Sequence, residues 1–278
     1  VEEPEEVNIS SLEELLNHLP VKDMQKFGWI PSGKSKETKL SNCLLFFGVS
    51  SLAQWQGRYE NAFRQAAYRR PTIFENCEIS TAAWLRQGEI ATNDDVVGEW
   101  SPETLEKHIP NFKRLTWFKD PTLFLPKIKE YFAEAGVKFA VVRAPKGCTA
   151  SGAVRLLEDG SPLVQLSFRF LSDDQFWFSL FHEIGHLLLH FDKLPFLECT
   201  EMEESEYENE ANDYAKNTII PMADRDEFLS LGGSRFPIIK YAKKVGVAPG
   251  LVVGQLQHES IIRYNQMQHL KRRFQWSD

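Results

Sequence analysis

The sequence predicts an α+β fold, mostly helical, with a small antiparallel sheet next to a helix carrying His182-Glu183-Ile184-Gly185-His186. Three observations predict it. Apolar residues recur at helical spacing over most of the chain. Residues 137–168 instead carry short apolar runs divided by an Asp159-Gly160 turn signal. The H-E-x-x-H pentapeptide then falls inside an apolar helical pattern that opens at Ser172-Asp173-Asp174, an N-cap followed by two carboxylates at the positive end of the helix dipole.

From about Ser11 to Trp117 the chain reads as short helices. Ser11-x-x-Glu14 opens one as a capping box before Leu15 and Leu16, and Pro20 closes it. A second runs from Val21 to Phe27 and stops at Gly28. A basic polar loop through Ser32-Gly33-Lys34-Ser35-Lys36 follows, then an apolar stretch from Leu40 to Val49 that is stopped by Gly48. Helical patterns resume over Leu52 to Tyr68, around Ala82 to Arg86, and around Glu103 to Leu115. Trp29, Trp55, Trp84 and Trp100 are read as packing residues, since aromatics dominate cores.

Asp120-Pro121 starts the next helix, which runs to Gly136. Val137 to Val142 suits a buried strand. Gly152 to Leu157 and Leu163 to Phe168 read as a hairpin around Glu158-Asp159-Gly160-Ser161, where Gly160 supplies the positive φ of a tight turn. The motif helix follows, with Trp177, Phe181, Ile184 and Leu188 on one broad face. A second long helix is read from Tyr207, Ala211, Tyr214, Ala215 and Thr218, and Pro221 ends it. Pro237 to Lys244 and Leu251 to Leu256 look like two helices around Gly246-Val247, with Pro237 at a first helical position. They have a helix-turn-helix outline, but Leu251, Val252 and Val253 stand where a recognition helix needs polar side chains for base edges. Packing is the favoured reading, and the basic tail Lys271-Arg272-Arg273 reads as solvated. The chain is expected to divide into a helical N-terminal region, 1–119, and a second domain, 120–278, that holds the motif.

His182 and His186 sit one turn apart on the same helix face, so both imidazoles can reach one ion. Glu183 points to a neighbouring part of that surface, where it can take a proton from an activated water without being a ligand. Gly185 costs about 1 kcal/mol against Ala in a helix interior, which suggests room for a neighbouring chain or a substrate. A catalytic zinc site needs a third protein ligand. His190 is a poor one, because three residues in line along a straight helix cannot surround an ion; it reads as a partly exposed residue near a helix C-terminus. In Glu206-Tyr207-Glu208-Asn209-Glu210-Ala211-Asn212, helical spacing puts Glu208 about 60° from the buried face, Glu210 about 100° away and Glu206 nearly opposite. Glu208 is the better candidate, and Asn212, one turn on, is placed to hold a ligand imidazole.

His182-Glu183-Ile184-Gly185-His186-Leu187-Leu188-Leu189-His190, then Glu208-Asn209-Glu210-Ala211-Asn212-Asp213-Tyr214-Ala215 and Ile219-Ile220-Pro221, resemble the ImmA/IrrE family of metallo-endopeptidases. Its usual pattern is H-E-x-G-H, then E-x-x-A-N-x-F-A, then an apolar pair before Pro. Tyr214 stands in the Phe position, and Asn217-Thr218 replace commoner small apolar residues. The resemblance spans roughly residues 122–278. It implies a zincin-like active-site helix, zinc held by His182, His186 and Glu208, and Glu183 as general base. It makes 120–278 a zinc metallopeptidase domain with a C-terminal helical extension. The implied substrate is a specific protein partner, such as a transcriptional repressor or a toxin–antitoxin component. The stretches Leu40 to Arg70 and Val247 to His258 are similar to a subgroup in which an Xre-type helix-turn-helix precedes the peptidase-like domain, often beside toxin genes. DNA contact would then belong to a domain ahead of Val1. A chain opening on Val1 and not on Met is what a trimmed or partial protein would show.

With 278 residues, 42% of them hydrophobic, the chain has material for a buried core and one or two domains. A formal charge of -7 argues against a general nucleic-acid binder. Cys43, Cys77, Cys148 and Cys199 show no C-x-x-C spacing and read as reduced residues of a cytoplasmic protein. No stretch approaches a membrane span, and the acidic opening Glu2-Glu3-Pro4-Glu5-Glu6 has the wrong sign for a signal peptide. Three function classes compete: a selective zinc protease, a non-proteolytic antitoxin or regulator that binds a partner with the same fold, and a DNA-binding module. An intact Glu183 beside intact candidate ligands favours the first, because binding alone has no need of a general base. His258 and Tyr264 are weak candidates for stabilising an oxyanion.

Overall fold

The computed structural model describes residues 12–51, 53–55, 57, 77–196 and 201–276. Ser11 of the expected capping box and most of Leu52 to Tyr68 lie outside the described residues. The chain divides into two units.

The first unit comprises residues up to Asn93 together with Val141–Ala150. It holds α1 (Leu12–His18), α2 (Val21–Lys26), α3 (Lys36–Phe47) and α4 (Cys77–Ala91). Ser35 starts α3 by accepting from the Thr38 N–H at 3.1 Å, and Gly48 at φ 65° ends it. Leu15, Met24, Phe47, Trp55 and Ala82 meet in one apolar core. Residues 141–150 are tied to α4: Trp84 Nε1 donates to the Val142 carbonyl at 2.8 Å and Ser80 Oγ to that of Lys146 at 3.0 Å. Trp55 and Trp84 are buried as packing residues.

The second unit comprises Asp94–Ala140 and Ser151–Asp278. It begins with α5 (Pro102–Leu115), capped by Ser101, and α6 (Pro121–Glu134), capped by Asp120 Oδ1 on the Thr122 N–H at 2.9 Å. Phe112 packs on Tyr131 and Phe132 at ring distances of 5.6 and 5.2 Å. The two helices therefore form a packed pair.

Strands β1 (Lys138–Val141), β2 (Gly152–Leu156) and β3 (Pro162–Leu166) form a sheet of order β1-β3-β2. The β2–β3 hairpin is antiparallel, with Val154 opposite Val164 and Gly160 at φ 80° in its turn. The sheet as a whole is mixed, which corrects the all-antiparallel expectation. β3 is buried along its whole length, as a central strand must be, while β2 is the half-buried edge.

The sheet leads into α7 (Asp173–His190), which α8 (Glu201–Ile219) crosses closely; α9 (Arg225–Leu229), α10 (Arg235–Val245) and α11 (Pro249–His258) follow. Ser234, and not the residue before Pro237, is the N-cap of α10, so Pro237 is its third residue. Proline is tolerated there because first-turn N–H groups have no acceptor within the helix. Leu251, Val252, Val253 and Leu256 of α11 are buried, and Gly250 and Gly254 lie against Asp173 and Asp174 of α7. The helix-turn-helix outline is thus a packing element whose second helix is buried along most of its length.

In the basic tail, Lys271 and Arg272 are held against the fold and, of the three, only Arg273 is exposed. Lys271 Nζ bonds Asp174 Oδ2 and Gln257 Oε1, each at 2.6 Å, and the Lys271 and Asp174 side chains keep only 8% and 4% of their exposure. Arg272 N–H donates to Asp173 Oδ1 at 3.0 Å, and its guanidinium to the Thr116 carbonyl at 2.6 Å. Phe274 packs on Phe124 and Phe168. Two buried carboxylates at the start of α7 demand donors, and the basic run supplies them. Among the described residues, no helix is long and apolar enough to cross a membrane.

Candidate metal centre

Close approach of α7 and α8 builds the site. A Cβ at Gly185 would stand 3.2 Å from Ala211 Cα and from Tyr214 Cβ, tighter than ordinary contact. The missing side chain lets the second helix lie against the first, which is the role of the neighbouring chain anticipated for this glycine. Tyr214 fills the aromatic position of the motif, and its hydroxyl is bonded to Thr218.

His182 Nε2 and His186 Nε2 lie 3.0 Å apart. Glu208 Oε2 is 3.4 Å from the first, and Oε1 is 3.2 Å from the second. Three ligands held at about 2.0–2.2 Å around one tetrahedral ion stand about 3.3–3.6 Å apart, so these donors lie within a few tenths of an ångström of a zinc ligand set. Both imidazoles are buried, and Glu208 keeps 31% of its side-chain exposure, which leaves one side of the cluster open. Glu206 is exposed and Glu210 keeps 52%. The donor set, two neutral imidazoles and a carboxylate, suits zinc.

Asn212 Oδ1 lies 3.0 Å from His182 Nδ1. That contact fixes the proton on Nδ1 and leaves the Nε2 lone pair facing the cluster. His190 departs from expectation. It is 4% exposed, not half-solvated, and its Nδ1 sits 3.2 Å from His186 Nδ1 while its Nε2 meets Glu210 Oε2 at 2.7 Å. Burial holds its imidazole below the ordinary histidine range, against the pull of Glu210. Tyr207 packs over the ring at 4.8 Å. Sequence reasoning asked only whether His190 could share the ion. The available signal was its place one turn beyond His186, level with a carboxylate on the next helix.

Glu183 is 1% exposed and reaches the sheet. A Cβ at Gly152, the first residue of β2, would collide with its carboxylate. The edge strand and the candidate general base are therefore in contact. His258 and Tyr264 are both exposed, Tyr264 to 71%.

Residues 138–249 match the model of a peptidase family, the IrrE N-terminal-like domain. The matched stretch takes in the sheet, the whole of α7 and the whole of α8. A search of curated proteins returned no match.

Proposed function

We propose, from a chain whose residues 138–249 match the model of the IrrE N-terminal-like peptidase family, that this protein is a zinc-dependent endopeptidase. Its ligands are His182, His186 and Glu208, and its general base is Glu183. The observation that carries the reading is the convergence of those three donors beside a buried carboxylate that is not one of them. We take 120–278 as the peptidase domain with its helical extension, and 1–119 as a helical region before it.

A zinc ion bound there would supply the Lewis acidity that lowers the pKa of a water and polarises a scissile carbonyl. His182, His186 and Glu208 would hold the ion. Glu183 takes the proton from the attacking water on a carboxylate oxygen and gives it to the leaving amine nitrogen. Its closed surroundings, with Gly152 against it, exclude bulk water and fix its aim. Because β2 is the edge of the sheet, an extended peptide laid along it brings its backbone to Glu183 and the ligand cluster.

The substrate class is a protein partner, with a transcriptional repressor or toxin–antitoxin component as the favoured kind, in a cytoplasmic setting. Glu183 supports hydrolysis over pure binding, since a partner-binding regulator has no use for a buried base.

The test is Glu183→Gln, with zinc content and cleavage of a peptide library both read by mass spectrometry. Zinc is expected to stay while cleavage falls by about 10²–10⁴-fold, the usual contribution of a general base. Unchanged turnover would reject the assignment.

A further inference from the structure

His190 and Glu210 lie outside the ligand set, yet they are bonded to it in series. A neutral imidazole has one N–H and one bare nitrogen, so a chain of histidines admits few proton arrangements. For His186 to offer the Nε2 lone pair to an ion, its proton must be on Nδ1. Among the described residues that Nδ1–H faces His190 Nδ1 at 3.2 Å, which must then be bare. The His190 proton is forced to Nε2, where Glu210 Oε2 accepts it at 2.7 Å. Each atom has one role, and no donor faces a donor. The opposite arrangement sets the His190 Nδ1–H against His186, takes the proton off His186 Nδ1 and sets bare Nε2 against a carboxylate.

From this geometry we infer that Glu210 and His190 form a two-step relay that positions His186: Glu210 orients His190, and His190 holds the tautomer and ring angle of His186 that a metal needs. His190 cannot itself join the ion, because it meets His186 through Nδ1, on the far side of that ring from Nε2 and the Glu208 carboxylate. Tyr207, tilted against the His190 ring at a centroid distance of 4.8 Å, keeps it from turning away. The negative charge at the end of the series raises the basicity of His186 Nε2, as a single carboxylate does for ligand histidines elsewhere. Asn212 does the corresponding work for His182 with a neutral amide, so the two ligand histidines are tuned unequally. His190 and Glu210 are positioning residues, and neither touches substrate.

This inference rests on the metal-site reading, and its test is metal affinity and proton placement, independent of cleavage. Zinc dissociation constants are measured by chelator competition on the full chain for wild type, His190→Leu, His190→Asn, Glu210→Leu and Glu210→Gln. His190→Leu removes the acceptor and is expected to weaken zinc binding by about 10–100-fold. His190→Asn places an amide oxygen where Nδ1 stood and should recover most of that loss. Glu210→Leu, at a half-exposed position where folding is not at stake, should weaken binding less than His190→Leu, with Glu210→Gln closer to wild type. Nitrogen-15 spectra of the zinc-loaded protein should show His186 protonated on Nδ1 and His190 on Nε2. Equal affinity in wild type, His190→Leu and Glu210→Leu, or a His190 proton found on Nδ1, overturns the relay. A wild-type chain that takes up no zinc overturns the metal reading beneath it, which is a separate result.

Discussion

Gly185 decides how near the two site helices can come. A helix interior prefers Ala over Gly by about 1 kcal/mol, so Gly185→Ala gains local propensity. Its new Cβ, however, would meet Ala211 Cα at 3.2 Å, and a backbone atom cannot step aside as a flexible side chain can. Overpacking of this kind costs about 1–3 kcal/mol. The expected net result is a loss of about 1–2 kcal/mol, read as a lower urea midpoint; an unchanged or higher midpoint would show that the helices separate freely. At this scale the sequence was informative where chemistry follows from spacing within one helix. His182 and His186 declare a shared face by being four apart, and Glu208 stands out from its acidic neighbours because Tyr207, Ala211 and Ala215 mark the packed side. His190 was illegible for the opposite reason: its part depends on which ring nitrogen faces which, and spacing carries no such information.

The start of α7 shows what an element requires of distant chain. Ser172 occupies the N-cap position, yet its hydroxyl bonds Asp174 instead of a helix N–H. Asp173 and Asp174 are buried, and the tail closes over them through Lys271, Arg272 and a bridge between Ser172 and Arg273. A basic run near a chain end reads as solvated because its acidic partners lie 97 residues or more away in sequence. Burial pushes the Asp173 carboxyl up to about 6, with the neighbouring Asp174 adding to the effect and the Arg272 N–H opposing it, and among the described residues its Oδ2 meets no hydrogen-bond donor. The folded pKa lies above the ordinary 3.8, so between those values the native state holds a proton that the unfolded state has lost. Asp173 therefore favours folding below about pH 4, and this contribution falls as pH rises to about 6, then stays level. The span corresponds to roughly 3 kcal/mol. Asp173→Asn should remove that slope, so the stability of the variant relative to wild type rises between pH 4 and 6 in urea titrations. A constant difference across the range would show that Asp173 is ionised throughout.

Across the whole molecule, local signals predicted most helices and the hairpin, while long-range pairing set what they missed. The Asp120 cap fixes the start of α6 from a few residues, which is why that start was legible, whereas Ser35 caps a helix that begins inside the stretch read as a loop. The sheet order β1-β3-β2, and hence its mixed character, depends on which strand pairs with which, and a hairpin signal speaks only for β2 and β3. Acidic overall charge and a buried α11 agree in assigning the C-terminal helices to packing and not to DNA. The second unit brings its candidate metal ligands together through the α7–α8 pair. The central claim is best tested by elemental analysis of zinc per chain, in wild type and His186→Ala purified side by side without chelator. Near one zinc in the first and near none in the second is the predicted result. No zinc in either, or equal zinc in both, would contradict it.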